Sequence, residues 1–422
     1  MYSYDLVVVG GGASGIAASI KAKELGIKKV ALIDEKNYLG GVLPQCIHSG
    51  FGLVYFKEDL TGPEFTEKLA QKVMETDLDI YTSTFVSKIA YRDYFEKLVY
   101  AVSKHGIKKF KTKTIIYSTG CRERNIYEIG ILGNRPSGVF TAGEAQTLMD
   151  IYGVMPGREI VIVGSGDIGL IMARRFALQG ANVKAVVEIM PYPGGLTRNI
   201  VQCLNDFNIP LLLNHSVLRV IGKNRVEEVE VCKLDENRKC IEGSKFRIKC
   251  DTLVISAGLV PRVELLEDLG VTIDPITKSA VVNDRLETSL PGVFVAGNSL
   301  VVNDLVDYAV EQGEIAAQGA SEFIFNKGIN AVLWKKVKLN GNIRFFIPQL
   351  ISGEKAVTMY GRVLTPEENV KLKVSEINKE IPFVRVRPSE MIRLKLSKDE
   401  LSSARGESLT FSIFKRGAQL GE

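Results

Sequence analysis

Cys46 and His48 lie two residues apart in a glycine-rich stretch, 40–52, that also holds Gln45. An ionised thiol is a nucleophile or a redox group, and an imidazole exchanges protons near neutral pH. A plain loop rarely needs this combination, so we assign Cys46 and His48 as candidate catalytic residues. The alternatives are a small packing residue at position 46 and a hydrogen-bonded loop anchor at position 48.

A second group of residues indicates phosphate binding. Gly10, Gly12 and Gly15 fit the pattern G-x-G-x-x-G directly after the apolar run Leu6–Val9. The first glycine permits a tight turn, the second lets backbone approach a pyrophosphate, and the third lets helix pack close to strand. The helix that follows offers free N–H groups to an anion. The predicted contacts are Gly10, Gly12, Ala13, Ser14 and Gly15.

A carboxylate stands where the ribose of a dinucleotide would bind. The apolar run Val30–Ile33 ends at Asp34, about 20 residues after Gly15, which is the spacing that such sites use. Asp34 and Glu35 are both candidates for this contact. Asp34 is preferred because it follows the apolar run directly.

The same pattern of strand, glycine hexad, helix and acid occurs again later in the chain. The run Glu159–Val163 precedes a second G-x-G-x-x-G, and the next apolar run, Val183–Val187, ends in an acid. Single hexads arise by chance, whereas two hexads that each have a strand, a helix and an acid do not. The second predicted dinucleotide site contains Gly164, Gly166, Asp167, Ile168, Gly169 and Glu188.

Composition indicates a multidomain globular protein. A chain of 422 residues is too long for one core, and 45% hydrophobic with 24% charged residues is ordinary for globular proteins. The net charge of +5 is small and dispersed, so we expect no nucleic-acid partner. The basic segment 104–113 is interpreted as a solvated hairpin rather than a polyanion site. From about residue 330, period-2 runs predict a small antiparallel sandwich or barrel.

The sequence lacks several signals that would indicate a membrane or secreted location or a metal site. No apolar run reaches the roughly 18 residues of a membrane span, and the N-terminus lacks a secretory signal. The six cysteines form no C-x-x-C, and there are three histidines. We therefore expect a cytoplasmic protein with no metal site and no membrane span.

Residues 4–326 resemble the FAD- and NAD(P)-dependent pyridine nucleotide–disulfide oxidoreductase superfamily. The resemblance rests on the paired hexads and on the stretches 118–120, 256–261 and 291–298. It implies that the first hexad holds FAD, that the second holds NAD(H), and that the last stretch returns to the FAD domain. The candidate cofactor-binding residues then also include Gly41, Thr119, Gly120, Gly258, Gly297 and Asn298.

The implied fold is α/β, with two Rossmann-like dinucleotide-binding domains and a small C-terminal all-β domain. The second dinucleotide-binding domain is inserted in the first. The predicted boundaries are 1–122 and 286–328 for the FAD-binding domain, 123–285 for the NAD-binding domain with its connector, and 329–422 for the β-rich domain.

Two departures from the family pattern concern the reaction. Asn298 stands where aspartate is usual, although an amide still hydrogen-bonds to FAD. Cys46 has no second cysteine on its loop, and residues 164–200 hold none. A redox-active disulfide needs a partner within reach, so typical disulfide reductase activity is not expected.

A finer resemblance is to subunits of opine oxidases, hydrogen cyanide synthase and dye-linked proline dehydrogenases, and to oxidoreductases associated with glycerol-3-phosphate dehydrogenase. It rests on residues 45–48, 119–124 and 138–146. It implies hydride transfer between NAD(H) and FAD, with electrons passing to an unknown small-molecule substrate or acceptor, and a possible second dehydrogenase subunit. Glu188 favours NAD over NADP. The alternatives are a non-catalytic or assembly subunit and a single-cysteine thiol or peroxide reductase.

Overall fold

The computed structural model describes residues 1–329 and 332–415, and the chain divides into two compact units. One unit comprises Met1–Cys121 with Pro261–Glu422, and the other comprises Arg122–Val260. The chain thus leaves the first unit and returns to it, which confirms the predicted insertion. The second unit ends before the predicted boundary at 285, because Val263 and Leu266 are buried in the core of the first unit.

The N-terminal part of the first unit alternates strands with two helices. Its elements are β1 (Tyr2–Val9), α1 (Ala13–Glu24), β2 (Val30–Ile33), α2 (Gly62–Met74), β3 (Asp79–Tyr81), β4 (Thr84–Asp93), β5 (Glu96–Ser103) and β6 (Gly106–Tyr117). The last four residues of β1 are buried, as expected of an apolar strand at the centre of a sheet. Helix α2 begins with a capping box in which Thr61 and Glu64 bind each other's backbone N–H groups.

The inserted unit contains the second dinucleotide fold. The elements from its start to its end are β7 (Cys121–Glu123), β8 (Leu132–Gly133), β9 (Val139–Thr141), α3 (Ala142–Asp150), β10 (Glu159–Val163), α4 (Asp167–Leu178), β11 (Asn182–Glu188), α5 (Thr197–Cys203), β12 (Leu211–Leu213), β13 (His215–Ile221), β14 (Glu228–Lys233), β15 (Phe246–Lys249), β16 (Thr252–Ile255) and β17 (Leu259–Pro261). A five-stranded parallel sheet runs β12-β11-β10-β16-β9, and a four-stranded sheet runs β15-β14-β13-β8.

A disulfide joins Cys232 to Cys240 in this unit, with Cα atoms 5.8 Å apart. The cysteine spacing did not predict the pair. It forms because an isolated bridge between Leu234 and Cys240 folds the chain back directly after β14.

The returning segment completes the first sheet. Its elements are α6 (Glu264–Glu267), β18 (Ile273–Asp274), β19 (Ser279–Ala280), β20 (Val293–Val295) and α7 (Val306–Phe325). Strand β20 pairs in parallel with β6, and the seven-stranded sheet otherwise runs β3-β2-β1-β6-β5-β4. The stretch 291–298 therefore returns to the sheet that carries the first glycine hexad.

The C-terminal segment forms two small sheets around its own core. Its elements are β21 (Lys335–Gly341), β22 (Phe345–Ile347), β23 (Leu350–Ile351), β24 (Val357–Arg362), β25 (Glu367–Val374), β26 (Lys379–Val386), β27 (Ile392–Leu396), α8 (Lys398–Ser403) and β28 (Ser408–Lys415). The sheets run β23-β21-β28-β25-β26 and β22-β24-β27. The predicted β-rich domain thus forms, although its residues 330, 331 and 416–422 lie outside the described ranges.

Helix α7 lies very close to α1. A Cβ atom added to Gly313 of α7 would lie 2.2 Å from the carbonyl oxygen of Ser14 in α1. Helix backbones approach this closely only where a residue lacks a side chain. The small residues of α7 therefore allow close packing against another helix. None of the helices in the two described ranges is long and apolar enough to cross a membrane.

Replacing Gly313 with alanine is expected to lower the free energy of unfolding by about 1–3 kcal/mol, because the new methyl group overlaps the α1 backbone. At an exposed position of a helix the same change raises the free energy of unfolding by up to about 1 kcal/mol. The sign of the stability change therefore distinguishes a close helix contact from an exposed position. Gln318→Ala, at an exposed position of α7, is the control. Thermal or denaturant unfolding checks both variants. A Gly313→Ala protein at least as stable as the wild type would contradict the close α1–α7 contact.

Candidate functional site

The first glycine hexad forms the turn between β1 and α1. Gly10 has φ 104°, and a Cβ atom there would lie 2.3 Å from the carbonyl oxygen of Ser118. A Cβ on Gly15 would lie 1.8 Å from the carbonyl oxygen of Gly10. At Gly12 the nearest atom would be the Cα of Gly41, at 3.9 Å. The fold itself therefore requires Gly10 and Gly15, while Gly12 leaves open space at the start of α1.

Asp34 stabilises this turn through a hydrogen bond to its backbone. One carboxylate oxygen accepts the N–H of Gly11 at 2.5 Å, and the other accepts the N–H of Lys36 at 2.7 Å. Burial raises the pKa of the Asp34 carboxyl, and these two N–H groups oppose the rise. Each oxygen keeps a second lone pair for a hydroxyl donor. The neighbouring Glu35 is half exposed and pairs with Arg262 at 3.3 Å, so Asp34 is the acid bonded to the turn.

The hydroxyl of Ser14 is buried in the first turn of α1. Among the residues that the structure describes, it has no hydrogen-bond partner. A buried hydroxyl without a partner costs about 1–3 kcal/mol, and a pyrophosphate oxygen at this turn would accept its proton. Gly297 lies beside it, since a Cβ there would approach the Ser14 Cβ to 2.7 Å. The open turn, this hydroxyl and the nearby carboxylate of Asp34 fit an FAD pyrophosphate and ribose.

The loop that follows β6 is bonded to the returning segment through Ser299. The Ser299 hydroxyl accepts the N–H of Gly120 at 2.7 Å, and it lies 3.3 Å from the hydroxyl of Thr119. Asn298 precedes Ser299, and its amide nitrogen is 3.6 Å from the Cys121 sulfur. The structure thus brings Thr119, Gly120 and Asn298 together within the first unit.

Several polar residues of this site were missed in the sequence. The buried side chain of Gln312 accepts the N–H of Gly297 at 3.1 Å and donates to Asn303 at 3.0 Å. The Lys36 ammonium group donates to the carbonyl oxygen of Gly41 at 2.8 Å. A glutamine among the small residues of α7 was the available signal, because a buried amide needs partners.

The thiol loop, residues 40–52, packs against the first glycine turn. The N–H of Gly40 donates to the carbonyl oxygen of Gly11 at 2.8 Å. Cys46 follows a short 3-10 turn and is partly exposed, and its sulfur lies 3.4 Å from the carbonyl oxygen of Val42. The candidate thiol of Cys46 therefore lies on a segment that borders the first glycine turn.

His48 is held within the same loop. Its Nδ1 lies 2.9 Å from the carbonyl oxygen of Ser49, and its ring centroid is 5.1 Å from that of Phe51. A carbonyl only accepts, so Nδ1 donates and the neutral ring carries its lone pair on Nε2. His48 thus has the anchoring bond of the structural interpretation and also a nitrogen for proton transfer.

The second glycine hexad repeats this geometry between β10 and α4. Gly164 has φ 95°, and a Cβ there would lie 2.1 Å from the carbonyl oxygen of Ser256. A Cβ on Gly169 would lie 2.4 Å from the carbonyl oxygen of Gly164, whereas Gly166 has no atom within 4 Å of its Cβ position. The turn is again open at the second glycine. Gly258, with φ 97°, lies in the loop after β16.

Glu188 takes the position that Asp34 has in the first unit. One oxygen accepts the N–H of Ser165 at 2.9 Å and also its hydroxyl, and the other accepts the N–H of Met190 at 2.9 Å. The side chain of Asp167 bonds to protein groups, since its Oδ1 accepts the N–H of Leu196 at 2.8 Å and the amide of Asn199. Asp167 therefore holds the neighbouring loop in place.

The predicted residues thus fall into two groups, one in each unit. The first group contains Gly10, Gly12, Ala13, Ser14, Gly15, Asp34, Gly41, Thr119, Gly120, Gly297 and Asn298, with Glu35 directed to Arg262. The second group contains Gly164, Gly166, Asp167, Ile168, Gly169, Glu188 and Gly258. In the described part of the chain, no three His, Cys, Asp or Glu side chains are grouped so that they could hold a metal ion.

Comparisons with known proteins identify the family of the chain. The family model described as pyridine nucleotide-disulphide oxidoreductase matches residues 4–313. A ferredoxin–NADP reductase of Picrophilus torridus is 23% identical over 356 residues, covering 82% of this chain and 97% of that protein. The hydrogen cyanide synthase subunit HcnB of Pseudomonas protegens is 25% identical over 321 residues, covering 70% of this chain and 66% of the subunit.

A solved structure is similar to this chain in fold. The crystal structure of T. acidophilum thioredoxin reductase has a TM-score of 0.63 and 25% sequence identity, and the match covers 76% of this chain and 99% of that one. Its likeness agrees with the predicted pair of Rossmann-like domains. Because the family model spans most of the chain, the protein belongs to the pyridine nucleotide-disulphide oxidoreductase family, whose members are oxidoreductases that bind FAD and NAD(P)H.

Proposed function

We propose that the protein transfers a hydride between NAD(H) and FAD and passes the electrons to a second acceptor, as the electron-transfer part of a dehydrogenase system. The observation that carries this proposal is the pair of open glycine turns, each with a buried carboxylate bonded to its backbone. When bound, the flavin and the nicotinamide supply the redox chemistry, and the protein supplies binding and orientation.

The first unit would hold FAD through its backbone and two buried side chains. The N–H groups at the start of α1 face the open space at Gly12 and would bind the pyrophosphate. Ser14 would donate to a phosphate oxygen, and Asp34 would accept from a ribose hydroxyl. Gly41 and Asn298 border this region and would contact the rest of the cofactor.

The second unit would select the nicotinamide nucleotide by charge. Glu188 lies at the end of β11, where the adenosine ribose of a dinucleotide would bind. Its carboxylate would accept from the 2′-hydroxyl of NAD and would repel the 2′-phosphate of NADP. We therefore propose NAD(H) as the coenzyme.

The direct test is the visible spectrum of the purified protein under anaerobic conditions. The protein is expected to show flavin absorbance, and NADH is expected to bleach it. Protein that takes up no added FAD would contradict the proposed first site. Protein that holds FAD but is not reduced by NADH would instead favour the alternative of a non-catalytic or assembly subunit.

Titration with NADPH tests the role of Glu188. We expect the second-order rate of flavin reduction to be at least about tenfold higher with NADH than with NADPH, because like charges placed together cost several kcal/mol. Glu188→Gln is expected to narrow this preference by removing the charge. The ratio of the two rates is the measurement, since it cancels a general loss of activity. Equal rates in the wild type would contradict charge selection.

Cys46 supports a second candidate function, a thiol or peroxide reductase with one cysteine. The residue is partly exposed, and its loop borders the first glycine turn. In a peroxide reaction the thiolate would take one oxygen atom, giving a sulfenate and water or an alcohol. Two electrons and one proton, supplied as hydride by NADH through the flavin, with a second proton from water, would return the sulfenate to the thiolate and release water. His48 would move protons in this cycle.

Cys46→Ser separates the two functions. Under the leading proposal, NADH-dependent reduction of an artificial dye persists in this variant. Under the second candidate, NADH-dependent peroxide consumption falls at least about a hundredfold, since a serine hydroxyl is not oxidised by peroxide. Cys203→Ser, at a buried position in the other unit, is the control. A wild-type protein with no peroxide activity would remove the second candidate.

A further inference from the structure

The ends of β4, β5 and β6 carry an exposed apolar row. In the strand register Phe85 is opposite Val102, and Val102 is opposite Ile107. Directly opposite residues point to the same face of a sheet. Phe85, Val102 and Ile107 are 55%, 46% and 79% exposed. Three neighbouring apolar side chains thus face solvent at one end of this sheet.

Basic residues adjoin this row. The next row on the same face joins Lys88, Tyr100 and Lys109, with the Lys109 ammonium group 5.3 Å from the Tyr100 ring centroid. Lys104 is exposed in the turn that joins β5 to β6. The stretch 97–113 holds six lysines and no acid. We call Phe85, Val102 and Ile107, with Lys88, Lys104 and Lys109, the strand tip.

The strand tip lies at the end of the sheet opposite the first glycine turn. Strands β1 and β6 run in parallel, with Val9 opposite Tyr117, and Gly10 begins the turn just beyond. Ile107 lies ten residues earlier on β6, about 33 Å away at about 3.3 Å per residue. Hydride transfer needs reacting atoms within about 3.5 Å. The proposed reaction therefore does not use the strand tip.

The composition of the strand tip distinguishes between kinds of partner. Protein interfaces are depleted in lysine and enriched in arginine, and they require matching shape. Lysines supply the three cations of the strand tip, while Arg92 contacts Tyr100 beside it. The apolar side chains stand at the ends of strands beside a turn. Lysines near a bilayer surface each gain about 1 kcal/mol from anionic lipids, and the interfacial layer accepts apolar side chains without a shaped pocket.

We propose that the strand tip docks the protein reversibly onto the surface of a bilayer that contains anionic lipids. Phe85, Val102 and Ile107 enter the layer between headgroups and acyl chains, and the three lysines lie among the headgroup phosphates. The contact adds a membrane surface as a partner without a membrane-spanning segment. It leaves the first glycine turn, at the opposite end of the same sheet, free to bind its cofactor.

Vesicle cosedimentation of the full-length holoprotein tests this proposal. The protein is expected to sediment with vesicles of phosphatidylcholine and phosphatidylglycerol in equal parts, more weakly with pure phosphatidylcholine, and less as salt rises. Lys88→Gln and Lys109→Gln are each expected to weaken the binding about fivefold. Ile107→Ser is expected to weaken it by a similar factor, since the side chain loses its apolar contact with the bilayer.

Matched variants exclude a general effect of charge or hydrophobicity. Lys338→Gln and Val384→Ser alter an exposed lysine and an exposed valine on strands of the C-terminal segment, and both are expected to bind vesicles as the wild type does. The thermal midpoint of each variant shows that it folds. Absence of binding to the anionic vesicles, or equal losses in the control variants, would overturn the proposal. Binding to duplex DNA or to polyglutamate without binding to vesicles would also overturn it.

Discussion

A buried carboxylate bonded to the backbone of a glycine turn is the interaction on which both units depend. In the first unit Asp34 accepts the N–H of Gly11, and in the second Glu188 accepts the N–H of Ser165. Asp34 directly follows β2 and Glu188 is the last residue of β11, and each of these strands is adjacent to the one preceding the turn. The bond therefore fixes the turn to its own sheet. Both bonds leave the second glycine of the hexad open. The repeat in the sequence is therefore a repeat of one physical device.

In the first unit the turn is enclosed by segments that are distant in sequence. Helix α7 contacts α1 through Gly313, and its Gln312 accepts the N–H of Gly297. The C-terminal sheets are joined to the same helix, because Glu311 accepts Tyr360 at 2.7 Å and Arg393 at 2.8 Å. Burial works against ionisation of Glu311, but the hydrogen bonds from Arg393 and Tyr360 prevail and lower its pKa. The β-rich segment thus supports α7, which packs against the helix that follows the first glycine turn.

The sequence predicted this arrangement where local chemistry decides it. The positions of Gly10 and Gly15 follow from steric needs that any such turn imposes, and Asp34 follows from a fixed spacing. The partners of Gln312 and Ser299 were not predictable, because they depend on segments that meet only in the folded chain. The strand tip was visible as a basic stretch, but its apolar row required the register of three strands. Cys46 was identified by residue type, and its reaction depends on chemistry that the fold alone does not assign.

The affinity for FAD of an Asp34→Asn variant tests the central claim most directly. Both oxygens of Asp34 accept backbone N–H groups, so an amide would place a donor against a donor and would free the turn. We expect the dissociation constant for FAD, measured by quenching of flavin fluorescence, to rise at least about tenfold, since hydrogen bonds to charged groups contribute about 1.5–3 kcal/mol. Glu35→Gln, at the adjacent exposed acid, is expected to bind FAD as the wild type does. An unchanged affinity in Asp34→Asn, or an equal loss in Glu35→Gln, would contradict the account.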